Sequence, residues 1–346
     1  MIYFICECEV ILTFIVNNIS AAKNTARCFL FLRKNLFMSC VYCYNPEMVD
    51  SIFSAKKTDK PDVVIVSAGY EKTASSRKGT KVGPKAIIKM LDSKLELFDR
   101  TYKVQPRDKI KIVHKDLGNI SSLSPEKAFG KITNECSKIL DRNELVFLLG
   151  GEHSVSLGLL DALSKKINPK DVTVLQIDAH CDLRDSDADY NNESTSRFAH
   201  SCVLRRVNEL GYPLVQVGIR TYYKGEYEYF SDPKNNVKVF EWGNKNKVPS
   251  VEEILQSIKT KYVYITIDVD GFDPAHMPGT GTTVSGGLEW WYGVELLETV
   301  IDQKELVGAD IVEVSPMRDS ILTEYNAAQL CYTMIAHKFK NKLGGD

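Results

Sequence analysis

Two histidines and five aspartates of this 346-residue chain fall in three short segments, each directly after an apolar run. Gly150-Gly151-Glu152-His153-Ser154 follows Val146 to Leu149, Asp178-Ala179-His180-Cys181-Asp182 follows Val172 to Ile177, and Asp268-Val269-Asp270-Gly271-Phe272-Asp273-Pro274 follows Val263 to Ile267. Residues two apart in extended backbone point the same way, so Asp178, His180 and Asp182 can face one cavity, as can Asp268 and Asp270. Carboxylates crowded together cannot all ionise without compensating positive charge, which two imidazoles do not provide. Divalent metal ions do. Carboxylate and imidazole donors without thiolate favour a hard to borderline ion such as Mn²⁺ over a structural zinc, and four aspartates allow some to bridge two ions.

Each piece alone has a plainer explanation. Asp-x-His-x-Asp after a strand can be a helix cap beside a loop histidine, and Gly-Gly-x-His a tight turn. Their joint occurrence at three strand ends, in a chain with only six histidines, selects the binuclear site. Cys181 points away from the cluster on the alternation argument and is read as packing.

The elements that must position these residues are short Val/Ile/Leu runs alternating with segments of helical period from Asp62 onward. Strands are expected at Val63–Ser67, Ile110–Val113, Leu145–Leu149, Val172–Ile177, Pro213–Val217, Val237–Phe240, Tyr262–Ile267 and Val307–Val312, all apolar enough to be buried on both faces. Helices are expected at Pro84–Leu91, Pro125–Leu140, Val155–Lys166, Ser201–Leu210, Val251–Lys259, Trp290–Gln303 and Thr323–His337. No linker or repeat divides them, so residues 61–346 read as one α/β domain: a three-layer α/β/α fold on a single, mostly parallel, doubly wound sheet. Ligands bind such sheets beyond the carboxyl ends of the strands, where the polar segments lie.

Composition is that of a globular protein, with 44% hydrophobic and 26% charged residues. A formal charge of -1 gives no drive toward nucleic acid or anionic membrane. Nine cysteines without paired zinc-site spacing read as reduced cytosolic thiols. Residues 1–60 differ from the rest and read as an extension. Met1 to Val16 is apolar, but Glu7 and Glu9 interrupt it, and no basic region precedes it. Lys23, Arg27, Arg33 and Lys34, with no acid between Val10 and Tyr44, suit a transit peptide, whereas Met38 suggests an over-called start. The expected location is the cytoplasm, or the mitochondrion if the segment targets.

The three segments resemble the signature motifs of the ureohydrolase family, which includes arginase and agmatinase. Lys78-Gly79-Thr80-Lys81-Val82-Gly83-Pro84 is similar to the family's loop before its first helix. Pro278-Gly279-Thr280-Gly281-Thr282 with Gly286-Gly287-Leu288 resembles the loop after the third motif, and Asp310-Ile311-Val312-Glu313-Val314-Ser315-Pro316 the last strand end. The resemblance implies an arginase-like fold and two Mn²⁺ per subunit. His153, Asp178, Asp182 and Asp268 would bind one ion, and His180, Asp178, Asp268 and Asp270 the other, with Asp178 and Asp268 bridging. It also implies attack of a metal-activated hydroxide on a guanidinium carbon, giving urea and an amine. Guanidinium is a poor electrophile, so a nucleophile generated at neutral pH is what the reaction most needs.

Within the resemblance, Glu313 holds the substrate guanidinium and His200, in Arg197-Phe198-Ala199-His200-Ser201, passes a proton to the leaving amine. Asp182 counts with these catalytic residues as well as with the ligands. Arginase-like members carry an asparagine two positions beyond the second motif; this chain has Arg184, and its run from Asp182 to Arg206 is more similar to agmatinases. An acidic loop with Asp185, Asp187, Asp189 and Glu193 favours an ammonium-ended substrate. The expectation is therefore hydrolysis of agmatine to putrescine and urea. Alternatives are an arginase, a guanidinobutyrase or a catalytically silent member acting in assembly, against which the intact ligand set argues. The resemblance further implies a homo-oligomer, trimer or hexamer. Tyr222-Tyr223, Tyr227-Glu228-Tyr229 and Trp290-Trp291-Tyr292 are candidates for its contacts or for the core.

Overall fold

The computed structural model describes residues 60–74, 77–189, 196–243 and 248–344. The readings of residues 1–59 as targeting segment or over-called start lie outside the described residues. Eight strands form one sheet: β1 (Val63–Gly69), β2 (Ile112–Asn119), β3 (Leu145–Gly150), β4 (Val172–Ile177), β5 (Leu214–Ile219), β6 (Val237–Glu241), β7 (Tyr262–Asp268) and β8 (Glu305–Val312). Their order is β2-β1-β3-β8-β7-β4-β5-β6. Every neighbouring pair is parallel.

The expected eight strands are therefore present, except that the second runs over Ile112–Asn119 rather than Ile110–Val113, and one further correction concerns the edges. β2 and β6 are not buried on both faces, because the order puts them at the two edges, where His114, Lys115 and Lys238 sit without a second neighbour strand.

Helices α1 (Gly83–Ser93), α2 (Pro125–Leu140), α3 (Ser156–Ser164), α4 (Val203–Glu209), α5 (Lys224–Ser231), α6 (Val251–Ser257), α7 (Trp290–Gln303), α8 (Leu322–Lys338) and α9 (Lys340–Leu343) cover the sheet. Two of them, α5 and α9, have no counterpart among the expected helices. In α5, Gly225 and three aromatic residues blur the helical period, and its start is set by Glu226, whose side chain accepts the Tyr223 N–H at 3.0 Å.

Alternate strand residues feed two cores, as period-two strands require. Val63 and Ile65 join Ile87, Leu297 and Leu330 of α1, α7 and α8; Val64 and Val66 join Phe129, Leu159 and Val203 of α2, α3 and α4. That is the three-layer α/β/α fold. Among the described residues no helix is long and apolar enough to cross a membrane.

The strand order matters most at the centre. β3, β8, β7 and β4 are consecutive neighbours, and their carboxyl ends carry the first motif, Glu313, the third motif and the second motif.

Candidate metal centre

Beyond β4, the Asp178 carboxylate is fixed by local donors: Gln176 Nε2 reaches Oδ2 at 2.6 Å and the His180 N–H reaches Oδ1 at 2.6 Å. Beyond β7, Asp268 caps its own turn by accepting the Asp270 N–H at 2.9 Å. Asp270 accepts the Ala179 N–H at 3.1 Å and the Thr282 hydroxyl at 3.0 Å, which ties the third motif to the second and to the loop that follows. Gly271 permits this closeness, since a Cβ there would lie 2.5 Å from the Asp178 nitrogen.

The result is two groups of converging donors. His153, Asp178 and Asp268 form one, and Asp178, His180 and Asp270 the other, with Asp178 common to both. His153 Nδ1 lies 3.1 Å from Asp178 Oδ2, 3.0 Å from Asp182 Oδ2 and 3.7 Å from Asp268 Oδ2. His180 Nδ1 lies 3.1 Å from Asp270 Oδ2 and 3.5 Å from Asp178 Oδ1.

The donor set fits divalent ions, on an observation about His153. The Thr266 hydroxyl donates to Asp310 at 2.6 Å, so toward His153 Nε2, 2.9 Å away, its oxygen can only accept. Nε2 therefore carries the ring proton of the neutral imidazole, and the Nδ1 lone pair is aimed at carboxylate oxygens. Nδ1 is buried without a hydrogen-bond partner. A lone pair facing three carboxylates is repulsive unless a cation sits between them.

Electrostatics agree, because the crowded carboxylates favour positive charge on the groups among them. Burial alone would lower His153 and His180, yet Asp178 and Asp182 around the first, and Asp270 and Asp178 around the second, raise both well above the usual imidazole range. Burial would raise Asp178, but its two histidine partners hold it below the usual carboxylate range. Burial and the Asp270, Asp178 and Glu313 charges push Asp268 well up, and burial with Asp178 raises Asp182.

Two site carboxylates sit on strained backbone: Asp182 at φ 53° and Glu313 at φ 62°. A left-handed conformation at a non-glycine residue costs on the order of 1 kcal/mol, and here it turns each carboxylate into the site. Glu313 Oε1 accepts the His153 N–H at 2.8 Å. Burial, reinforced by the Glu152 charge, pushes the Glu313 carboxyl well up. A cavity of about 130 Å³ opens at these groups, lined by His180, Asp182, Asp268, Glu313, His200, Arg184, Tyr223 and Glu226. All eight expected site residues thus meet at one place. Cys181 is buried among core side chains, as its alternation required.

Other expectations are redirected. Asp185 of the acidic loop pairs with Arg206 at 2.9 Å and Arg197 at 3.1 Å, and Asp187 accepts from Ser201 at 3.1 Å. The Asp185 charge is engaged by Arg197 and by Arg206 of α4, the Asp187 carboxylate by the Ser201 hydroxyl, and Glu193 lies outside the described residues. Arg220 and Glu226 escaped the sequence reading, and Arg184, noted there, gains a partner. Arg220 donates to the carbonyls of Gly218 at 3.0 Å, Asp270 at 2.6 Å and Val284 at 2.6 Å, clamping the turn that carries Asp270. Arg184 stacks 4.3 Å over the Tyr223 ring. Glu226 holds the Leu183 N–H at 2.9 Å, beside Asp182. Position just beyond β5 was an available signal for Arg220; for Glu226 there was none.

A model of the arginase family matches residues 61–336. The N(1)-aminopropylagmatine ureohydrolase of Synechocystis sp. is 32% identical over 281 residues, 80% of this chain and 88% of the relative. Agmatinase of Bacillus anthracis is 33% identical over 269 residues, 75% of this chain and 86% of its own. The crystal structure of agmatine ureohydrolase from Thermoplasma volcanium superposes with a TM-score of 0.68 at 30% identity, covering 81% of this chain and 90% of that one. These likenesses are to ureohydrolases, enzymes that cleave guanidino carbon–nitrogen bonds. The chain belongs to the arginase family.

Proposed function

We propose that this ureohydrolase acts on agmatine, releasing urea and putrescine, with two Mn²⁺ per chain. The observation that carries the reading is the pair of donor groups sharing Asp178, of which His180 and Asp268 line a cavity together with Glu313 and His200. His153, Asp178, Asp182 and Asp268 would hold one ion and His180, Asp178, Asp268 and Asp270 the other. When bound, the ions supply positive charge and lower the pKa of water to generate a nucleophile near neutral pH.

The chain's own residues do the rest. Glu313 Oε1 is held by the His153 N–H, which leaves Oε2, above Gly281, to receive a guanidinium N–H. Asp182, turned inward by its left-handed backbone, serves the ligand set and lines the cavity that would take the reacting carbon. His200, on the facing wall, gives a proton to the leaving amine. An ammonium-ended substrate is supported by the agmatinase and aminopropylagmatine names of the relatives.

The reading includes a homo-oligomer, trimer or hexamer. Trp291 is 63% exposed and Tyr227 51%, side chains suited to such a contact, whereas Trp290 and Tyr292 pack inward. The test is urea release, with Mn²⁺ added, from agmatine, N(1)-aminopropylagmatine, arginine and guanidinobutyrate. Agmatine should give the highest kcat/KM. A preference for arginine or guanidinobutyrate would move the substrate, and no urea from any would overturn the reading.

A further inference from the structure

Glu152 lies next to His153 yet faces away from the metal groups, fully buried, and accepts four donors. Its Oε2 takes the N–H of Lys72 at 3.0 Å and of Thr73 at 2.8 Å, and its Oε1 takes the hydroxyls of Thr73 at 2.8 Å and Ser154 at 2.9 Å. The segment after β1 is thereby pinned against the end of β3. Gly151 makes the approach possible, since a Cβ there would lie 2.0 Å from the Tyr70 carbonyl oxygen.

Thr73 hands this anchorage across to the opposite wall. Its oxygen accepts the His200 N–H at 3.1 Å and lies 3.5 Å from His200 Nδ1. A separate contact ties the same two segments. Phe129 packs edge-on against Tyr70 at 5.9 Å and against Phe198 at 6.1 Å, so one ring supports both the segment before Thr73 and the segment before His200.

Because the single hydroxyl proton of Thr73 goes to Glu152, its oxygen can act toward His200 only as an acceptor. The contact favours the neutral tautomer protonated at Nδ1, which assigns proton exchange with a molecule in the cavity to Nε2. We infer that Thr73, anchored by Glu152, is a positioning residue that fixes the backbone, ring orientation and tautomer of His200. The inference rests on the proposed role of His200 in proton transfer.

The test uses the full chain with Thr73→Val, Thr73→Ser and His200→Ala. Thr73→Val keeps the shape and removes the hydroxyl. It should lower kcat at least about tenfold with KM and metal content nearly unchanged, and displace the pH dependence of kcat. Thr73→Ser should restore most of the rate. In a His200→Ala background, Thr73→Val should add nothing, because the two act as one unit. Parent-like kcat in Thr73→Val, or a loss that adds in full to that of His200→Ala, overturns the inference. Ring ¹⁵N NMR of the Zn²⁺-loaded protein, with the His200 signals assigned by their loss in His200→Ala, reads the tautomer without any substrate. A neutral His200 protonated at Nδ1 in the parent, and no longer fixed so in Thr73→Val, is expected. Protonation at Nε2 in the parent overturns the positioning role even if urea is released, and Nδ1 protonation supports it even if no guanidino compound is turned over.

Discussion

His153 and Glu313, 160 residues apart, are joined by one hydrogen bond, the His153 N–H to Glu313 Oε1 at 2.8 Å. The bond links the proposed metal ligand at the end of β3 to the carboxyl that would receive the substrate at the end of the adjacent β8. The Glu313 carboxyl is thus held in place by the backbone N–H of the residue whose ring would hold a metal.

Removing the shared ligand should be more damaging than removing an outer one. Asp178 belongs to both donor groups. The parent should bind about two Mn²⁺ per chain, and Asp178→Ala should bind neither ion tightly, as measured by calorimetry and metal analysis after dialysis. Chelation of the parent should abolish turnover, and Mn²⁺ should restore it. One ion per parent chain, or undiminished binding by the variant, would count against the binuclear site.

Glu313→Gln should keep both ions and lose substrate binding strength. A charge-assisted hydrogen bond is worth about 1.5 to 3 kcal/mol, or roughly tenfold to a hundredfold in kcat/KM. Parent-like hydrolysis of agmatine at full metal loading would mean that the guanidinium is held elsewhere.

His200→Ala should separate chemistry from binding. A proton-transfer group contributes about 10² to 10⁴ in rate, so kcat should fall while metal content and KM hold nearly constant. A change confined to KM would make His200 a binding residue only.

His337, buried in α8 and far from the site in sequence, should give stability a pH dependence of its own. Burial would lower it, but Glu298 at 3.2 Å and Asp302 at 3.2 Å raise its pKa above the unfolded value. The stabilisation is therefore fully present below the unfolded pKa and disappears as pH rises through the folded one. Bonds to a charged group contribute about 1.5 to 3 kcal/mol. The melting temperature of the parent should fall across that window, and that of His337→Gln should be flatter there; equal slopes would remove the assignment.

Deleting residues 1–37 should leave turnover intact, since every proposed site residue comes later in the chain. Loss of folding in the truncated chain would show a structural role for the segment.

Local spacing made much of the site legible. The strands read correctly because Val, Ile and Leu runs such as Val172–Ile177 have few alternatives to burial in a sheet, and Asp178-x-His180-x-Asp182 leaves such a strand within one turn of its end. The expected acidic loop read less well. Asp185 was visible as a charge, but its partner Arg206 is 21 residues away on another element, and no pattern in the intervening sequence announces the pair.

The sequence by itself thus determined which residues carry donor groups, the strand ends on which they sit and the α/β class, because these follow from side-chain chemistry and period-two geometry over a few residues. Only the tertiary structure decided that β3, β8, β7 and β4 lie side by side, bringing His153, Glu313, Asp268 and Asp178 to one edge. It alone gave Asp182 and Glu313 left-handed backbones, made Arg220 a clamp beneath Asp270, and set Thr73 between Glu152 and His200. Sheet order is settled by how crossover helices pack over the whole domain, and a hydrogen bond between segments 127 residues apart exists only after that packing is complete.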